Sequence, residues 1–258
     1  MKALPRLFRS TLGKKYLMAG SGVVLVLFVV GHLIGNLQFF LPPEAINRYA
    51  HFLQSNLELL WPVRLILLGL VILHIFTAFQ LWAENRAARP VAYASPATAF
   101  GSTLASRTMV FSGLVVASFV VFHLLHYTLK VEAINGSAVP FHQLKEPGSG
   151  HPDVYAMMVA GFSVWYVTLF YLIGVGLLCW HLSHGIGAMF QSLGLRNPTY
   201  TPLVTKAAKA IAVLLFVGYA SLPTSVLLLG HGKTYLAAVA AQNAKAVAAA
   251  TDGKDTGK

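Results

Sequence analysis

Cysteine is nearly absent from the sequence and acidic side chains are scarce. The lone Cys179 excludes an internal disulfide and any cysteine-held iron–sulfur cluster. No flavin-binding glycine motif occurs either, so the chain has no flavin redox domain of its own. Only 10% of the 258 residues are charged while 56% are hydrophobic, which leaves too little polar surface to cover a water-soluble globule. The chain reads as a membrane protein. Between Tyr16 and Leu41, and between Thr108 and Leu129, there is no Asp, Glu, Lys or Arg, a pattern that argues against substrate transport.

Five apolar segments, near 16–41, 60–83, 108–129, 156–190 and 206–230, are long enough to cross a hydrocarbon core of about 30 Å. They predict an all-α bundle of five transmembrane helices over residues 1–231. The tail 232–258 is then a separate segment, alanine-rich and partly helical with a disordered polar end. The first segment follows Lys2, Arg6, Arg9, Lys14 and Lys15, as a secretory signal would. It is too long and lacks a small-residue cleavage site, so it reads as a retained helix.

The net charge of +11 does not point to nucleic acid, because the basic residues gather at helix ends. Arg86, Arg89, Arg107, Arg196, Lys206 and Lys209 lie on the same side as the N-terminus, whereas Arg48, Lys130 and Lys145 on the other side are offset by Glu44, Glu58, Glu132, Glu146 and Asp153. The positive-inside rule predicts a cytoplasmic N-terminus and an external C-terminus. Pro42-Pro43 stops the first helix, and residues 47–53 read as a short amphipathic helix on the outer face. The connection 84–107 is an inner loop, and 130–155, rich in Gly and Pro, is irregular outer structure. No repeat is evident beyond recurring histidines.

Histidine is abundant where it is costly. His51, His142, His151 and His231 fall in loops or at a surface and read as solvated, but His32, His74, His123, His126, His181 and His184 lie within the spans. At ~1.5 Å per helical residue, His32 and His123 both sit ~24 Å above the inner edge, and His74 and His181 both ~15 Å above it. Two imidazoles at one depth on neighbouring helices are what a bis-histidine haem iron requires, and Gly31, Gly35, Gly69, Gly113 and Gly185 leave room for a flat macrocycle. The alternatives are hydrogen-bonded core histidines or a proton pathway; a zinc site lacks a nearby carboxylate or thiolate.

The runs Gly31-His32-Leu33, Leu73-His74-Ile75, Phe122-His123-Leu124 and His181-Leu182-Ser183-His184-Gly185, in this order on the first four helices, resemble the di-haem cytochrome b membrane-anchor subunit of succinate:quinone oxidoreductases, the succinate dehydrogenases and fumarate reductases. The resemblance covers about Lys14 to Gly230. It implies that His32 and His123 ligate an outer b-type haem and that His74 and His181 ligate an inner one; His126 and His184, the extra histidines of their motifs, are alternative ligands, or contacts to a propionate, a quinone or other polar groups. Ser21 and Arg107, with Ser106 and Lys15, are candidates for the inner propionates.

The resemblance further implies partners on the cytoplasmic face of a bacterial inner membrane: a flavoprotein subunit carrying FAD and an iron–sulfur subunit. The dicarboxylate chemistry would then take place in those partners. No catalytic residue for it is assigned here, and this chain's own work is electron transfer to or from a quinone, menaquinone or ubiquinone. Quinone reduction also takes up protons. Glu44, Tyr49, His51 and Glu58 are outer candidates for that site, and Ser21, Gln80, Glu84 and Arg107 inner ones. The competing readings are the di-haem anchor of a hydrogenase or formate dehydrogenase and a haem-free polytopic membrane protein.

Overall fold

A computed structural model of the chain describes residues 7–88 and 104–255, with side chains through Lys245. Lys2, Arg6, Arg89, most of the expected inner loop and residues 256–258 lie outside the described residues, and the polar end of the tail, expected to be disordered, is helical as far as Asp255. Among the described residues eight longer helices carry the fold: α1 (Thr11–Asn36), α2 (Pro43–Ser55), α3 (Leu57–Ala87), α4 (Met109–His123), α5 (Val154–Phe162), α6 (Trp165–Ser192), α7 (Thr201–Leu229) and α8 (Lys233–Asp255). Among the described residues there is no strand, only an isolated bridge between Lys145 and Pro152. Among the described residues five helices are long and apolar enough to cross a membrane: α1 with its 3-10 extension to Phe40, α3, α4 with its extension to Thr128, α6 and α7. The protein is an all-α, multi-pass membrane protein. Large exposed apolar side chains such as Leu27, Leu65, Phe111 and Leu214 are then lipid contacts rather than misplaced core.

Local chemistry sets the helix ends. Pro42 keeps Leu41 extended and Pro43 opens α2 at its first position, where a missing N–H costs nothing. The third span ends in a π-helical turn, Leu124–Thr128, with Leu129 N–H bonded to the Leu124 carbonyl. Gly230 takes φ +71 to end α7, and Gly232, at φ +77, passes so near α5 that a Cβ there would meet Val159 Cγ2 at 2.5 Å.

The segment 156–190 is two helices, which corrects the expectation of one. α5 stops at Phe162, and the Thr168 hydroxyl takes the Phe162 carbonyl at 2.8 Å while Ser163 Oγ bonds back to the Val159 carbonyl at 2.7 Å. Hydropathy does not register this break because both sides of it are apolar. α5 is buried along its length from Tyr155 to Phe162, so it is a core element rather than part of a span.

The chain divides into two compact units. The first comprises Met1–Leu33, Glu58–Ala117 and Val175–Val217; the second comprises Ile34–Leu57, Ser118–Gly174 and Gly218–Lys258. In the first, Lys14 on α1 is buried and paired with Glu84 on α3, which also accepts from Thr11. In the second, the fully buried Asp153 caps α5 by accepting from Ala156 N–H at 2.8 Å, accepts from Asn47 Nδ2 at 3.0 Å and from the Tyr235 hydroxyl at 2.8 Å. One carboxylate thereby ties α2, α5 and α8 together. The tail is helical as its alanine content suggests, and it packs: Val239, Tyr235 and Leu236 lie on Phe141, Leu144, Ala156 and Met157. His231, read from sequence as solvated, is wedged among Phe39, Phe40 and Tyr155 with Nε2 buried.

Candidate functional site

Within the first unit, α3 and α6 bring His74 and His181 together, and α1 and α4 hold them. His74 Nδ1 lies 3.2 Å from the Met18 carbonyl and 3.2 Å from Ser21 Oγ. The Ser21 hydroxyl hydrogen is already directed to carbonyls of its own helix, at 2.8 Å to Leu17 and 3.0 Å to Met18. A carbonyl oxygen can only accept, so the proton between them belongs to His74 Nδ1. The Nε2 lone pair is then the ring's ligand atom.

His181 repeats the arrangement on the other pair of helices. Its Nδ1 lies 3.2 Å from Ser112 Oγ, the Ser112 hydroxyl bonds the Met109 carbonyl at 3.1 Å, and that carbonyl also bonds the imidazole. Both serines are buried, so no water competes for these bonds. The two ring centres are 6.4 Å apart and the ring planes cross at 67°. Two imidazoles ligating one first-row metal from opposite sides, each at about 2 Å, place their ring centres roughly 6 Å apart. The separation of the two ring centres is therefore that of two imidazoles on one metal. Among the described residues no group of three or more His, Cys, Asp or Glu converges, so an ion here would draw its remaining ligands from elsewhere.

Glycines make the approach possible. A Cβ on Gly113 would sit 3.4 Å from His181 Cε1, and one on Gly22 would sit 3.6 Å from His74 Cε1 and 3.2 Å from Met189 Sδ on α6. Gly31, Gly69 and Gly185 face open space, whereas Gly35 faces the Tyr49 ring at 3.0 Å.

Ser112 escaped the sequence reading although a signal for it exists. The order Met18-x-x-Ser21-Gly22 followed by Phe28-x-x-x-His32 recurs as Met109-x-x-Ser112-Gly113 followed by Phe119-x-x-x-His123, with identical internal spacing, and Gly69-x4-His74 recurs as Gly176-x4-His181. The sequence thus contains a repeat beyond the histidines themselves. The repeated phenylalanines sit beside the histidines: Phe28 stacks on His32 at 5.4 Å in the first unit, and Phe119 lies 6.3 Å from His123 in the second.

His32 is half-buried in the first unit and His123 half-buried in the second, where His123 Nδ1 lies 3.3 Å from the Tyr171 hydroxyl. His126 is fully buried on the same hydroxyl, 3.0 Å from its Nδ1, and His184 is half-buried one turn beyond His181. Arg107 ends the short helical turn Leu104–Arg107 before α4. Of the polar candidates for quinone, Glu84 is taken by Lys14, the Gln80 amide oxygen is buried without a partner, and exposed His51 stacks on His151 at 4.0 Å. Comparison with protein-family models, with curated proteins and with solved structures returns no match.

Proposed function

We propose that this chain is the membrane-anchor and electron-transfer subunit of a succinate:quinone oxidoreductase, passing electrons between an iron–sulfur partner and membrane quinone. The observation that carries the reading is the His74–His181 pair, whose Nδ1 atoms each lie 3.2 Å from a buried serine hydroxyl, with the Met18 carbonyl also on His74 Nδ1, and whose centres are 6.4 Å apart. Two facing imidazoles, with no group of three or more His, Cys, Asp or Glu among the described residues, would suit a macrocycle that brings four nitrogens of its own better than they would suit zinc. A b-type haem held by His74 with His181 would supply reversible one-electron transfer, and the resemblance implies a second haem of the same kind.

The chain's own residues do the rest. Ser21 and Ser112 set the tautomer and aim of the inner pair, and hydrogen bonding at Nδ1 strengthens the Nε2 donor. Gly22 and Gly113 admit the rings close to the backbone of α1 and α4. The basic residues Lys14, Lys15, Arg86 and Arg107, at one end of the spans, fit a cytoplasmic face that receives the FAD flavoprotein and the iron–sulfur subunit, with the protein in a bacterial cytoplasmic membrane.

Purification of the tagged chain from its own membranes in mild detergent tests the assignment. Co-purification of a flavoprotein and an iron–sulfur protein with succinate-dependent quinone reduction, or quinol-dependent fumarate reduction, is expected. Co-purification of a hydrogenase or formate dehydrogenase instead would move the chain to another complex.

A further inference from the structure

The second unit holds a cluster that the paired histidines do not use. His126, Tyr127 and Asn135 each carry a buried polar atom with no protein partner: Nε2, the phenol oxygen and Nδ2. His126 and Asn135 are 0% and 1% exposed, so bulk solvent does not satisfy them. The three groups are close to one another. The His126 and Tyr127 rings are 4.3 Å apart, the Asn135 backbone carbonyl lies against the His126 imidazole, and a Cβ on Gly161 would stand 2.6 Å from the Tyr127 oxygen and 3.1 Å from His126 Cε1. The absent side chain of Gly161 is thus what lets the Tyr127 oxygen and the His126 ring come against α5, and Phe141 packs on both rings; the three unpaired atoms mark one small polar site.

We propose that this space binds one water molecule, shared by His126 Nε2, the Tyr127 hydroxyl and Asn135 Nδ2, and that the water completes a hydrogen-bond chain from His123 through Tyr171 and His126 to the connection after the third span. Water is the ligand because the site is small, polar and offers three partners, the number a buried water ordinarily engages. Asn135 Nδ2 can only donate, so the ligand must accept, and a water oxygen accepts twice while its hydrogens remain for the Tyr127 oxygen. The direction of the chain rests on the reading of His123 as an iron ligand. A ligand bonded through Nε2 carries its hydrogen on Nδ1, which donates to Tyr171; Tyr171 then donates to His126 Nδ1, and His126 is left with Nε2–H facing the water. Asn135 closes the turn Glu132–Asn135, whose exposed Glu132 pairs with His142 at 2.8 Å, so the chain leads toward an ionisable surface pair.

A crystal structure of the full chain grown from lipid, at a resolution that resolves ordered water, tests the site. The expected result is a single peak within about 2.7–3.2 Å of His126 Nε2 and of at least one of the other two atoms. A dry space, or all three atoms paired to protein, would overturn the proposal. Solid-state NMR of 15N-histidine-labelled protein gives a second readout: transfer from bound water to a His126 Nε2–H is expected, its loss in Asn135→Leu with Tyr127→Phe supports the site, and no transfer in the unsubstituted protein contradicts it. Neither measurement depends on bound haem. Failure of the haem reading would leave the water in place and remove only the direction of the chain.

Discussion

Ser112 Oγ lies 3.2 Å from His181 Nδ1, the same distance that separates Ser21 Oγ from His74 Nδ1. Two helix pairs thus present two imidazoles in matching fashion, each held at Nδ1 with Nε2 left as the atom that could meet a ligand. The symmetry is written in the repeated Met-x-x-Ser-Gly and is the strongest structural support for a group bound between the rings.

Removing either serine should weaken that group without expelling it, because the Met18 and Met109 carbonyls still hold the rings. Outer-shell partners of this kind are typically worth about 10–100-fold in affinity. Ser112→Ala and Ser21→Ala are each expected to lower affinity by roughly tenfold in a haem titration, at the lower end of that range, and the double variant more. Unchanged affinity in the double variant would mean that the hydroxyls only cap their own helices.

Gly113 offers a steric test. A leucine there places a Cβ 3.4 Å from His181 Cε1 with further carbons beyond it, so Gly113→Leu should displace the ring and abolish the signal of one haem while circular dichroism stays helical. Gly20→Ala, where nothing lies within 4 Å, is the matched control and is expected to be neutral. Equal behaviour of the two variants would contradict the packing around His181.

The hold on α8 should be sensitive to alkali. Burial and the Asp153 carboxylate raise the Tyr235 phenol above its ordinary value. A raised folded-state value favours the protonated form, so this contribution is complete below the unfolded value of about 10 and falls as pH rises through the folded one. Hydrogen exchange of residues 233–245 should therefore accelerate above about pH 10. Tyr235→Phe should accelerate it at neutral pH too, since the bond to a buried carboxylate is worth on the order of 1.5–3 kcal/mol.

The spans and their histidines were legible in the sequence because apolar length and intramembrane imidazole are strong signals. The ends were less so: α3 begins at Leu57 and α7 at Thr201, because helix continues into polar flanks that hydropathy excludes. The α5–α6 break was hidden, since Ser163 and Thr168 act through hydroxyl bonds to carbonyls inside an apolar run. Ser112 went unseen for a related reason. A serine in a helix ordinarily satisfies itself on its own backbone, and only its repeated place relative to Met109 and Gly113 marks it. The packing of the tail depended on Asp153, which the sequence presented as one acidic loop residue among several.

The most direct test is the haem content of the purified chain, from the reduced-minus-oxidised spectrum and pyridine haemochrome quantification, alongside His74→Ala and His181→Ala. The account predicts two b-type haems per chain, and one in either variant, with the same haem lost in both. A folded chain with no haem, expressed with ample haem supply, would contradict it and return His74 and His181 to a purely structural pair.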